Sequence, residues 1–191
     1  MDNIVSWKEY LKKFDDLLSA ESPPPPYDNP AYFTYLKLNA SRQNRWLKKG
    51  IVNQTLKDKI DRIETPQTWY TITEPWCGDA AHSIPFLFLA AQHNRLITIQ
   101  MVWRDTPPFM IDAYLTNGGK SVPKLVVRDA NDKDLFTWGP RPKPCQEIYL
   151  SLKEKEADFE EMKITLQQWY NKDKGQTLQS ELEALIESTI N

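Results

Sequence analysis

Cys77 stands between two stretches of opposite character. Trp69-Tyr70-Thr71-Ile72-Thr73 is β-branched and aromatic and predicts a buried strand. Asp79 to His93 is rich in Ala, Leu, Phe and Ile and predicts a helix. Pro75 has no N–H to donate, so the strand cannot run through it. Cys77 therefore falls at a helix N-terminus, where unpaired N–H groups and the helix dipole favour negative charge. A thiol so placed tends to ionise, and the thiolate is the nucleophile of thiol–disulfide exchange. Asp79 opposes this, because a carboxylate near the sulfur disfavours the thiolate, and the net sign stays open.

Other residues could take part. Glu74, at the strand end, is either a proton acceptor or a surface carboxylate. His82, farther along the helix, either polarises an incoming group or packs. Cys145, the second of two cysteines, either approaches Cys77 as a remote resolving thiol or fills a half-buried position. Cys77, His82, His93 and Cys145 lack the paired C-x2–4-C spacing of structural zinc, so no metal site is expected. No Gly-rich phosphate loop is present.

Trp76-Cys77-Gly78, Pro85 downstream and Val122-Pro123 directly before a second apolar run together resemble the thioredoxin superfamily. That family carries Trp-Cys-Gly-x-Cys at the end of a strand, with the first cysteine opening the next helix. The phrase Glu74-Pro75-Trp76-Cys77-Gly78-Asp79-Ala80 is similar to a bacterial thioredoxin-like branch with a helical N-terminal extension. The resemblance covers about Trp69 to Tyr170. It implies an α/β thioredoxin-like fold, a central mixed sheet flanked by helices. It also implies Cys77 as nucleophile, a substrate-binding surface made of Trp76, Gly78, Val122 and Pro123, Pro123 in cis, and Val122 offering its backbone to an incoming peptide or glutathione.

The departures from the family pattern are at positions 79 and 80. Asp79 replaces the commoner proline, and Ala80 stands where the family has its resolving cysteine. Alanine cannot attack a mixed disulfide. Three outcomes remain open: release by glutathione or another small thiol, release by Cys145, or an inert Cys77 in a domain that binds without redox turnover. Two functional readings follow. One is a thiol–disulfide oxidoreductase of monothiol type, needing no cofactor beyond a small thiol as co-substrate and acting on protein thiols or disulfides. The other is a non-catalytic thioredoxin-fold module that binds a protein partner.

Composition narrows the setting. The chain has 191 residues, 40% apolar and 12% aromatic, enough for a buried core. A net charge of −2 provides no broad basic field for nucleic acid. No apolar run approaches the ~18–20 residues that span a bilayer. The start lacks a cationic region followed by an apolar one, so a cytoplasmic location with reduced thiols is expected.

Several elements must position Cys77. Ile4, Trp7, Leu11, Phe14 and Leu18 predict a first helix, which Pro23-Pro24-Pro25-Pro26 stops as a polyproline II connector or loop. Pro30 and Gly50 bracket a second helix ending at Lys49, the most basic part of the chain. Its Lys37, Arg42, Arg45, Lys48 and Lys49 read as a solvated face or as an anion or partner contact. Asn53 to Glu64 predicts a third helix. We expect residues 1–66 to form a helical extension packed on a thioredoxin-like domain of residues 67–191. Within that domain, Leu96–Trp103, Lys124–Arg128 and Asp134–Trp138 predict strands, and Met110–Leu115 a short helix. Cys145 to Asn171 predicts one long helix with Ile148, Leu152, Phe159, Met162, Leu166 and Trp169 facing inward, followed by a terminal helix from Thr177 to Ile190.

Overall fold

The computed structural model describes residues 3–190. Five strands make one sheet in the order β1-β3-β2-β4-β5, built from β1 (Ile4–Ser6), β2 (Gln67–Thr73), β3 (Ile97–Trp103), β4 (Lys124–Asp129) and β5 (Asp134–Trp138). Strands β2 and β3 run parallel, and the other three pairings are antiparallel. The sheet is therefore mixed. Side chains alternate along β2, so Trp69 points to one face and Tyr70 to the other. Trp69 packs with Leu125, Val127 and Phe86. Tyr70 packs with Val126 and with residues of the first helix.

That first helix, α1 (Trp7–Ser19), starts later than the apolar spacing predicts. The Ser6 hydroxyl accepts from the Glu9 N–H, and the Ser6 N–H donates to the Glu9 carboxylate, which closes a capping box. The cap fixes Trp7 as the first helical residue and leaves Ile4–Ser6 extended. Ile4 lies on β1 opposite Val102 instead of on the helix. Of the two forms expected for the proline run the structure has the loop, since the chain turns after Pro24, whose carbonyl accepts from the Tyr27 N–H.

Helix α2 (Pro30–Lys49) has the predicted bounds. Asn29 caps it, and Pro30 occupies the first turn, where a missing N–H costs nothing. Gly50 is not left-handed, with φ −66°. Its reason is space, since a Cβ there would sit 2.5 Å from the Trp46 carbonyl oxygen. Asn53 caps α3 (Gln54–Asp61). Helix α4 (Gly78–Ala91) carries Pro85 inside it and is buried along most of its length.

The predicted long C-terminal helix is two helices, α5 (Lys143–Glu154) and α6 (Phe159–Asp173). Glu156 turns left-handed at φ 53°, and the Asp158 carboxylate accepts from the Glu161 N–H at 2.8 Å to start α6 afresh. The break turns Phe159 outward, 63% exposed, where the single-helix pattern predicts an inward face. The final helix, α7 (Gln176–Glu187), packs against α3, with Lys59 and Arg62 both paired to Glu187.

Candidate functional site

Strand β2 ends at Thr73, and Glu74-Pro75-Trp76 carries the chain to Cys77, the N-cap of α4. The Cys77 sulfur accepts from the Ala80 N–H at 3.4 Å, and its S–H donates to the Val122 carbonyl at 3.2 Å. The Val122–Pro123 peptide bond is cis. Cys77 is 6% exposed. Burial pushes its thiol up to about 12, the Asp79 charge adds to the rise, and the Ala80 N–H and Arg141 work the other way. Desolvation thus outweighs the helix terminus, and Cys77 is a thiol at neutral pH.

Asp79 does not face solvent. Its carboxylate pairs with the Arg141 guanidinium at 2.6 Å and accepts from the Tyr170 hydroxyl at 2.9 Å. Arg141 also lies over the Tyr149 ring, 4.0 Å from its centroid. Charges from the elbow before α5 and a phenol from α6 therefore converge on the first turn of α4.

His82 is a buried packing group with both nitrogens engaged. Its Nδ1 accepts from Trp46 Nε1 at 2.9 Å. That leaves the proton on Nε2, which donates to the Gln167 carbonyl oxygen at 3.1 Å. The ring stacks on Tyr170 with centroids 4.5 Å apart. Burial lowers its pKa to about 3, so it stays neutral. Through His82, α2 and α6 are fastened to α4.

Cys145 is fully buried beside Tyr170 and does not line the cavity that Cys77 lines. Burial first, and Asp79 second, push its thiol to about 12. Both cysteines are free. Glu74 does not line the cavity that Cys77 lines but a separate one of about 200 Å3, bordered by the proline turn, and it accepts from the Asp105 N–H at 2.9 Å. Burial raises its pKa. Trp76 borders both cavities and lies beneath the Arg104 guanidinium, 4.5 Å from the ring. Gly78 meets no close neighbour where a Cβ would stand, with Arg42 Nη1 at 3.5 Å.

Cys77, Trp76, Gly78, Asp79, His82 and Val122 all line one cleft of about 800 Å3. The walls come largely from elsewhere: Tyr32, Tyr35 and Arg42 on α2, Tyr149 on α5, and Phe159, Met162 and Leu166 on α6. Arg42 donates to the Asn39 side-chain oxygen at 3.0 Å, while Asn39 Nδ2 holds the Pro75 carbonyl at 3.0 Å. Sequence reasoning marks α2 as basic without placing Arg42 at the cleft, and it misses Asn39, Arg141, Tyr149 and Tyr170 entirely. Among the described residues no group of three His, Cys, Asp or Glu gathers as a metal site, and no helix is long and apolar enough to cross a membrane.

No curated protein matches the chain. Two solved structures are similar in fold. One is a protein of unknown function from Pseudomonas aeruginosa, with a TM-score of 0.55 and 16% identity, covering 96% of this chain and 98% of that one. The other is an HIV epitope-scaffold, with a TM-score of 0.54 and 15% identity, covering 96% and 98%. The family described as Thioredoxin matches residues 27–177, so the match takes in α2 and α3 together with the strands and the Cys77 cleft. With more than half of the chain inside that match, this protein belongs to the thioredoxin family.

Proposed function

We propose that this chain is a thioredoxin-fold binding module, in which the cleft over Cys77 holds a ligand or partner and the sulfur is part of the floor. The observation that supports this is the cleft itself. Its walls are built by α2, α5 and α6, and it is lined far more by side chains of these helices than by the motif around Cys77. The local chemistry agrees, since a thiol near 12 is hardly ionised at pH 7 and the side chain at position 80 is a methyl group. A cytoplasmic setting, where thiols remain reduced, suits two free cysteines.

Intact mass after brief exposure to oxidised glutathione at pH 7 tests the reading. The folded protein is expected to stay unmodified, while the urea-unfolded chain gains glutathione. Rapid formation of a single adduct on folded Cys77 would overturn it.

A second reading has one observation in its favour. The Cys77 sulfur borders the cleft next to the Val122 carbonyl, where an incoming disulfide would have to lie. In that reading Cys77 attacks one sulfur of a disulfide. A mixed disulfide forms, one thiolate leaves, and glutathione or another small thiol then releases Cys77 by a second exchange. The same mass measurement separates the two. An additional loss of two hydrogens in wild type, absent in Cys145→Ser, would instead mark a Cys77–Cys145 pair.

A further inference from the structure

We infer that the cleft takes a small amphipathic carboxylate, an organic anion whose carboxylate is held by the Arg42 guanidinium and whose apolar body lies along Tyr35, Phe159, Met162 and Leu166. The inference rests on the reading of the cleft as a binding site and names the chemistry of its occupant.

Size and charge both point this way. A cleft of about 800 Å3 falls within the range of small-molecule sites. Five cations border it, Arg42, Arg104, Lys120, Arg141 and Lys163, against one carboxylate, Asp79. Four of the five have acidic partners. Arg141 pairs with Asp79 at 2.6 Å, Arg104 with Asp105 at 2.7 Å, Lys120 with Asp112 at 2.7 Å and Lys163 with Glu160 at 2.5 Å. Arg42 has none within 4 Å among the described residues.

Its surroundings make that absence costly. Arg42 is half-buried, and burial is the first influence pulling its pKa down. A charge partly stripped of water gains most from an opposite charge. Of its five N–H donors, one is used, by the Asn39 side-chain oxygen at 3.0 Å. Nη1, which carries that bond and has a second hydrogen, lies 3.5 Å from where a Cβ on Gly78 would stand, so the guanidinium group borders the cleft floor next to Cys77. The guanidinium fork matches one carboxylate through two parallel hydrogen bonds. A phosphate dianion would call for a second unpaired cation, and the other four are paired.

The apolar part of the argument comes from α6 and α2. Phe159 is 63% and Tyr32 is 42% exposed at this cleft. Phe159 meets Tyr35 edge-on at 6.0 Å, forming an aromatic wall that the ligand body would cover.

The experiment uses the full chain and two matched probe pairs, decanoate with decanol and 2-naphthoate with 2-naphthylmethanol. Calorimetry gives affinity, and backbone amide shifts give location. We expect the carboxylates to shift Gly78, Val122 and Ser121, which also lines the cleft, and to bind at least about tenfold tighter than the alcohols, as a charge-assisted hydrogen-bonded pair requires. Arg42→Gln should bring the carboxylates down to the affinity of the alcohols. Arg42→Lys, which keeps charge but loses the fork, should fall between. Should Arg42→Gln fail to fold, Arg42→Lys decides, and wild-type affinity in that variant overturns the inference. Equal binding of acids and alcohols, with shifts at the cleft, overturns the anion claim and leaves the binding-module reading intact. Binding of neither class, or shifts elsewhere in the chain, overturns the inference. A rapid glutathione adduct on Cys77 strikes the binding-module reading alone.

Discussion

Asp79 and Arg141 meet at 2.6 Å with side chains 12% and 13% exposed, and the pair determines which charge Cys77 feels. After burial, Asp79 is the strongest influence holding the thiol up, and Arg141 acts against it. Residues from the first turn of α4 and from the elbow before α5 are thereby coupled through one sulfur. Partly buried pairs of this kind are costly to break from one side, because the survivor keeps its charge without its partner.

Asp79→Asn removes the negative neighbour and leaves the Arg141 cation unopposed, and both changes favour the thiolate. Cys77 should therefore titrate lower than in wild type. If the fall is one unit, alkylation by iodoacetamide at pH 8 should run about tenfold faster. The pH dependence of that rate, followed by intact mass, is the measurement. Arg141→Met is expected to do the reverse, slowing alkylation and destabilising the fold by about 3–5 kcal/mol. Equal rates in the two variants would mean that burial alone governs the sulfur.

His82 sets an acid limit on stability. Its folded pKa is depressed to about 3, against an ordinary 6.5 in the unfolded chain. Above the unfolded value both states are neutral, and its contribution is fully present. As the pH falls below about 6.5 the unfolded chain binds a proton that the folded chain refuses, and stability declines by about 1.4 kcal/mol per pH unit until about pH 3. His82→Gln cannot titrate, so the urea midpoint of this variant should vary less between pH 6 and 4 than that of wild type. Parallel pH profiles in the two proteins would remove His82 as the cause.

What was legible in the sequence was mostly local. Pro30 and Gly50 bracket α2 at the observed residues, although Gly50 ends it without a left-handed turn, and the Asn29 cap is an addition of the structure. Cys77 as the first cap of α4 follows in the same way from Pro75 and the apolar run after it. The three residues of β1 are too few to display a period, so the apolar spacing assigns Ile4 to the neighbouring helix. The break between α5 and α6 was in principle readable, because Asp158 and Glu161 have the spacing of a helix start, but the apolar repeat across the break hid it. The Trp46–His82 bond joins residues 36 apart, and Tyr170–Asp79 joins residues 91 apart. No pattern in a single sequence encodes such distances. The sign of the Cys77 shift failed to emerge for the same reason, since it is decided by how deeply distant segments bury the sulfur.

Gly175 illustrates a constraint that only packing reveals. Its φ is +78°, and a Cβ there would stand 2.6 Å from the Phe86 ring. Alanine must accept a left-handed backbone, costing about 1–2 kcal/mol, and also displace a buried aromatic side chain. Gly175→Ala is expected to lower the urea midpoint, with the slope of the transition unchanged. An unaltered midpoint would show that the α6–α7 turn relaxes freely around Phe86.

Asp158→Ala addresses the wall of the cleft. The Asp158 side chain is the N-cap of α6, and its removal leaves the Glu161 N–H without that acceptor at an expected cost of about 1 kcal/mol. Phe159 is the first residue of α6, so fraying there should loosen its edge contact with Tyr35 on α2. His82, Gln167 and Tyr170 lie farther along or beyond α6 and keep their bonds, so the floor of the cleft should be unaffected. Amide exchange is the discriminating readout. Faster exchange confined to residues 159–162, with Gly78 and Val122 protected as in wild type, is the expected result. Faster exchange that reached Cys77 would mean that the wall and the floor open together, and the cleft would then be one cooperative unit instead of a fixed floor with a movable side.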